Sequence, residues 1–136
     1  MQLNRTTDYV VRIVYFLSNE NRIFTSEEIS EAIGCSRGYV ISILRKLSKE
    51  GLVEVIRGVK GGFRLKKRPD AISLFDVIKI MEDTICINQC LNEEENCNLK
   101  ATDYCTVRRF SISLHEQIES ELKNMTFEML RQSGGA

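Results

Sequence analysis

The sequence has one His, one Pro and no Trp. A single imidazole leaves little room for the His-centred acid–base or nucleophilic chemistry on which many enzymes rely. No apolar run nears the ~18 residues that a membrane-spanning helix requires. The opening Met-Gln-Leu-Asn-Arg-Thr-Thr-Asp lacks the apolar core of an export signal. The expectation is therefore a cytoplasmic chain with no membrane partner. Net charge is missing too, because 19 Lys and Arg cancel 19 Asp and Glu. What is present is ordinary: 136 residues, 43% hydrophobic and 28% charged, the composition of about one globular domain.

The zero net charge conceals a polarity. Residues 1–68 carry 13 basic and 7 acidic side chains, whereas residues 69–136 carry 6 and 12. The segment 37–68 alone holds 10 basic and 2 acidic residues. Such a distribution points to a first half that meets a polyanion.

Hydrophobic spacing supplies the elements. Tyr9, Val10, Ile13, Val14 and Leu17 predict a helix over 7–18, with Thr6 or Thr7 as its cap. Thr25-Ser-Glu-Glu28 has the form of a capping box and precedes a short helix that stops at Gly34. A third helix starts after Ser36, buries Tyr39, Val40, Ile43, Leu44 and Leu47, and ends at Gly51. Strand composition in Leu52–Arg57 and Phe63–Lys67, joined by Gly58-Val-Lys-Gly-Gly62, predicts a β-hairpin. Another helix starts at Ser73-Leu-Phe-Asp76. Residues 84–105 lack periodicity and read as a long loop. Beyond it, Val107, Phe110, Leu114, Ile118, Leu122 and Met125 recur every three or four residues, the seam of one long helix.

The fold class that results is mainly α with a small β-hairpin wing, a winged helix-turn-helix plus a long dimerisation helix. Three segments follow: a DNA-binding domain over 1–83, a cysteine-rich loop over 84–105, and the dimerisation helix with a C-terminal segment over 106–136. In such a motif the helix after Gly34-Cys35-Ser36 enters the major groove of double-stranded DNA. Arg37 is the candidate for a bidentate guanine contact, and Ser36 and Tyr39 are candidates for phosphates. Arg57, Lys60 and Arg64 sit on the wing, where Arg57 and Lys60 can enter a minor groove. The stripe of Val107, Phe110, Leu114, Ile118 and Leu122 exceeds what one small domain buries on itself. A symmetric homodimer is the commonest way to cover it, which implies a pseudo-palindromic operator.

The five cysteines are Cys35, Cys86, Cys90, Cys97 and Cys105. An odd number in a chain expected in the cytosol argues against a disulfide framework. The intervals are too wide for zinc knuckles, and no C-x-x-C is present. Three thiolates from Cys90, Cys97 and Cys105 suit an iron–sulfur cluster, which normally has four ligands. Cys86, a carboxylate or an imidazole can complete the set. Cys35, inside the helix-turn-helix, reads as a small packed residue. With no His near these thiols, a thiol enzyme is not expected.

These residues together resemble the IscR/NsrR-type winged-helix iron–sulfur transcriptional regulators. Met1-Gln-Leu-Asn-Arg-Thr-Thr-Asp-Tyr-Val-Val-Arg12 is similar to the family's opening helix. Ile56-Arg-Gly-Val-Lys-Gly-Gly-Phe-Arg-Leu65 is similar to its wing, and Cys90…Cys97-Asn-Leu…Cys105-Thr-Val-Arg-Arg109 to its cluster loop. Leu122 to Leu130 resembles the closing segment. The resemblance implies a homodimeric transcription factor, a repressor, whose promoter affinity is gated by a cluster sensing nitric oxide, redox or iron–sulfur status. A four-iron four-sulfur cluster is favoured, with a two-iron two-sulfur cluster as the other form. The IscR branch places a His ligand where this chain has Arg108. The NsrR branch uses an Asp from the partner subunit followed four residues later by Arg, and Asp8 and Arg12 match both. Asp8 also has a plainer reading, a helix-terminal acid paired with Arg12. Cys86 is the alternative fourth ligand. His115, ten residues beyond Cys105, reads as a surface residue. The alternative function is a cluster-free regulator of the same fold, controlled by a partner protein or small molecule.

Overall fold

The computed structural model describes residues 3–82 and 105–134. Its first helix, α1 (Arg5–Ser18), begins two residues earlier than the periodicity predicts. Its cap is Asn4 rather than Thr6 or Thr7: Asn4 Oδ1 accepts from the Thr7 amide at 2.8 Å. Asn is among the best N-caps, and Thr7 is needed elsewhere, as shown below. One face of α1 places Val10, Ile13, Val14 and Leu17 in the core, each at most 2% exposed.

Helix α2 (Ser26–Ile33) follows Thr25, whose hydroxyl accepts from the Glu28 amide. Only this half of the expected capping box has the expected form. The Glu28 carboxylate turns instead to Arg22, 2.9 Å away. Gly34 ends α2 with φ +78°, a left-handed conformation that costs a residue with a Cβ much more than glycine. The chain then turns into α3 (Arg37–Lys49), capped by Ser36. Val40, Ile43, Leu44 and Leu47 of α3 meet Ile29 and the α1 face in one cluster. Burying a side chain of this kind contributes about 1.5–3 kcal/mol, so this shared core fixes the angle between the three helices.

The hairpin consists of β1 (Val53–Ile56) and β2 (Gly62–Leu65), paired Val53 with Leu65 through Ile56 with Gly62. Both strands are shorter than expected. Phe24, just before α2, adds a further rung: Phe24 and Phe63 exchange two backbone hydrogen bonds of 2.8 Å. This holds the wing against the helical core. Gly62 is required there, because a Cβ at that position would strike the Phe24 carbonyl oxygen.

A 3-10 turn (Pro69–Ala71) leads into α4 (Leu74–Met81), which has a complete capping box between Ser73 and Asp76. Helix α5 (Thr106–Asn124) is 19 residues long and packs on α4. It does not continue through Met125. The chain extends there, Ser73 and Thr126 form an antiparallel bridge, and α6 (Phe127–Ser133) begins with Thr126 as its cap. Phe127, fully buried, joins the core of the N-terminal unit, and α6 lies on α1. The C-terminal segment is thus structurally part of the helix-turn-helix unit and not a mere extension of the long helix.

Candidate nucleic-acid interface and thiol site

The first turn of α3 is built from the two helices before it. Ser36 Oγ accepts from the Tyr39 amide at 3.3 Å, which leaves its own O–H able to donate outward. Arg37 is exposed, and its Nε donates to Ser26 Oγ at 2.8 Å. That bond orients the guanidinium while its two Nη groups make no contact among the described residues. Tyr39 is less available than the sequence suggests. Its hydroxyl donates to Thr6 Oγ1 at 2.7 Å, and its ring stacks edge-on against Tyr9 at 5.7 Å. A phosphate accepts but does not donate, so it gains the Tyr39 proton only by displacing Thr6.

On the wing, Arg57 and Lys60 are exposed beside the turn. Arg64 is instead bound to Glu54, its cross-strand partner. Arg57 and Lys60 are therefore the readily available cations at the tip, and Arg64 is occupied within the protein.

The N-terminal turn of α1 is held from a second side. Glu82 Oε1 accepts from the Asn4 amide at 3.0 Å and from Thr7 Oγ1 at 2.8 Å. Thr7 is fully buried. A single turn of helix thus touches both the start of α3, through Thr6 and Tyr9, and the end of α4, through Asn4 and Thr7. Sequence periodicity carries no signal for these bonds, which join side chains 33 and 75 positions apart. Asp8 projects from the same turn. It is exposed and lies 3.6 Å from Arg12, which also approaches the Tyr9 ring.

Of the candidate thiols, Cys105 is a half-buried free thiol at the N-cap of α5 with no side-chain capping bond. Cys86, Cys90 and Cys97 lie outside the described residues. Among the described residues no three His, Cys, Asp or Glu side chains converge as a metal site. Cys35 packs against the core, and burial pushes its thiol above the ordinary range. Its packing is that of the small packed residue expected in the turn. His115, expected at the surface, is half-buried. Its side chain is 17% exposed, with Nε2 3.3 Å from Glu119 and Nδ1 buried without a hydrogen bond among the described residues. It stands on the side of α5 that also carries the buried Ser111. Along α5, Val107 and Phe110 are each 68% exposed, and Leu114, Ile118 and Leu122 are half-buried. No helix among the described residues is long and apolar enough to cross a membrane.

Comparison with known proteins decides what this arrangement belongs to. Residues 3–133 match Rrf2, described as iron-dependent transcriptional regulators. The chain belongs to the Rrf2 family. It is similar to the HTH-type transcriptional regulator NsrR of Bacillus licheniformis, with 36% identity over 98 residues, 71% of this chain and 68% of that one. It is also similar to a putative HTH-type transcriptional regulator of Aquifex aeolicus, with 30% identity over 121 residues, 89% of this chain and 84% of that one. Among solved structures, the fold matches CymR, the global cysteine regulator of B. subtilis, at a TM-score of 0.80. That match has 23% identity and covers 98% of both chains. It matches T. potens IscR at 0.78 and 21% identity, over 98% of this chain and 88% of that one. The chain is accordingly an Rrf2 transcriptional regulator with a winged-helix fold, and not an enzyme. Regulators of this family bind DNA.

Proposed function

We propose that this chain is a homodimeric DNA-binding repressor whose promoter affinity is gated by an iron–sulfur cluster, in response to nitric oxide, redox or iron–sulfur status. Ser36, Arg37, Arg57 and Lys60 face the DNA, with Tyr39 and Arg64 positioned behind them. Val107, Phe110, Leu114, Ile118 and Leu122 form the seam between two copies. Cys90, Cys97 and Cys105 supply three thiolates. The fourth ligand is Asp8 of the partner subunit, with Cys86 as the alternative. When bound, the cluster supplies labile, redox-sensitive iron–ligand bonds.

The observation that carries this reading is the first turn of α1. The turn that bears Asp8 also grips Tyr39 through Thr6 and Tyr9. A force applied to Asp8 therefore acts on the N-terminus of the reading helix with one hydrogen bond and one ring contact in between. The donor chemistry fits the group: Cys105 is a free, half-buried thiol at the N-terminus of α5, a residue type that ligates iron–sulfur clusters. Among the described residues, Asp8 is exposed and its side chain is held by a surface ion pair alone, which a better partner can replace. A carboxylate is a harder donor to iron than a thiolate, so it leaves one iron position exchangeable.

The test is purification without oxygen followed by visible absorption and by iron and sulfide analysis of the wild type and its variants. Cys90→Ala, Cys97→Ala and Cys105→Ala are each expected to lose the cluster. Asp8→Ala is expected to keep it while altering its lifetime and its effect on DNA binding, and Cys86→Ala to behave nearly as wild type. Cluster loss in Cys86→Ala with a silent Asp8→Ala replaces the cross-subunit site with an all-cysteine one. Colourless, iron-free wild-type protein selects the cluster-free regulator instead.

A further inference from the structure

The base of the hairpin, at the far end of β2 from the wing tip, holds a cleft of about 290 Å³. It opens between the last turn of α1, the link over 20–22 and residues 64–69. Leu17, Leu65 and Pro69 give it an apolar side. Its charge is unbalanced, with Arg22, Arg64, Lys66, Lys67 and Arg68 against the single carboxylate of Glu20. Two of the arginines are already neutralised, Arg22 by Glu20 and Glu28 and Arg64 by Glu54. Arg68 has only an open pair with Asp70, its own side chain 85% exposed. Lys66 and Lys67 make no ion pair among the described residues, although their backbone is fixed through the Lys66 amide on Leu52 at 2.8 Å. Two uncompensated ammonium groups on a rigid strand end, beside an apolar wall, are an arrangement for an anion with a short apolar part.

We propose that this cleft binds a small free organic anion, a carboxylate or phosphate, and that it is separate from the DNA surface. Position argues for a free anion over the DNA backbone. The reading helix is held at Thr6, at the opposite end of α1 from Leu17, a separation of roughly 17 Å at 1.5 Å per residue. Lys60, in the wing turn, and Lys66, just past Leu65, lie beyond opposite ends of β2. Size suits a small ligand, since the volume of about 290 Å³ lies just under the ~300–1,000 Å³ typical of small-molecule pockets. The proposal does not depend on the cluster, so either can fail alone.

The test titrates the intact protein, without DNA, with inorganic phosphate and with phenyl phosphate, followed by calorimetry and by amide chemical shifts. Phenyl phosphate is expected to bind several-fold tighter than phosphate, with shifts at residues 17–22 and 64–69. The double variant Lys66→Gln with Lys67→Gln is expected to weaken both by about tenfold or more. A second arm measures affinity, with no added anion, for a DNA fragment selected from random sequence by the wild type. There the double variant is expected to match wild type in affinity and in salt dependence. Absence of saturable binding below about 10 mM overturns the proposal, as does binding indifferent to the double variant. Weaker DNA binding with a shallower salt slope overturns it as well, and assigns the cleft to the DNA backbone.

Discussion

Tyr39 commits its hydroxyl to Thr6 and its ring to Tyr9, so its contribution begins inside the protein. Tyr39→Phe keeps the ring contact and removes one part-buried hydrogen bond, for which the net cost is about 0.5–1.5 kcal/mol. Denaturant unfolding is expected to show a loss in that range with an unchanged m-value, because the compactness of neither state changes. A loss near zero means that the bond is not held in solution. Glu28 illustrates a different residue-scale effect. Hydrogen bonding from Arg22 holds its carboxyl below the ordinary 4.5. A depressed folded value means that the stabilisation is fully present above the unfolded value and is lost as pH falls through the folded one. Thermal melts from neutral pH downward are therefore expected to show a drop beginning below about pH 4.5. Glu28→Gln should flatten it. An identical acid profile in that variant assigns the drop to Glu119 and Glu128, which Lys123 and Arg131 hold down in the same sense.

The elements differ in how openly the sequence announced them. Helices α1, α3 and α5 have periodic apolar faces long enough to read, and local signals fixed the turn at Gly34 and the cap at Ser36. The rung between Phe24 and Phe63 was not legible, since one residue pairing across the fold has no period. The same holds for the return of Phe127 to the core, which depends on a bridge between Ser73 and Thr126. At the site, Arg37, Arg57 and Lys60 were readable as exposed cations. The engagement of Arg64 by Glu54 was not, because it follows from hairpin register. Helix α5 carries the sharpest prediction at this scale. It buries only Ser111 fully and leaves Phe110 and Val107 largely in water. Leu114→Glu with Ile118→Glu places two carboxylates on the seam. Light scattering at micromolar concentration is expected to give a dimer for wild type and a monomer of unchanged helicity for the variant. A monodisperse wild-type monomer removes the seam from the account.

Across the whole molecule, charge is divided although the core is shared. The first 68 residues carry an excess of six positive charges and the rest an equal negative excess, and the basic part contains both the reading helix and the wing. Phosphate attraction and base reading are then separable by mutation. Arg37 is oriented by Ser26 with its Nη groups free of hydrogen bonds among the described residues, as a bidentate guanine contact requires. Arg37→Ala is expected to cost about 1–3 kcal/mol and to relax preference at one base pair of each half-site. Lys60 lies exposed on the wing turn, where the proposed contact with phosphate or groove is through charge alone. Lys60→Ala should weaken binding similarly on all sequences and reduce the slope of log affinity against log salt by about one. In a two-fold dimer each substitution occurs twice, so selected sites should remain pseudo-palindromic, with half-site centres about 34 Å apart or a multiple of it. Fluorescence anisotropy on selected and scrambled DNA at several salt concentrations separates the two effects. If Arg37→Ala changes only the salt slope and Lys60→Ala only the sequence preference, the reading head is the wing and α3 lies along the backbone.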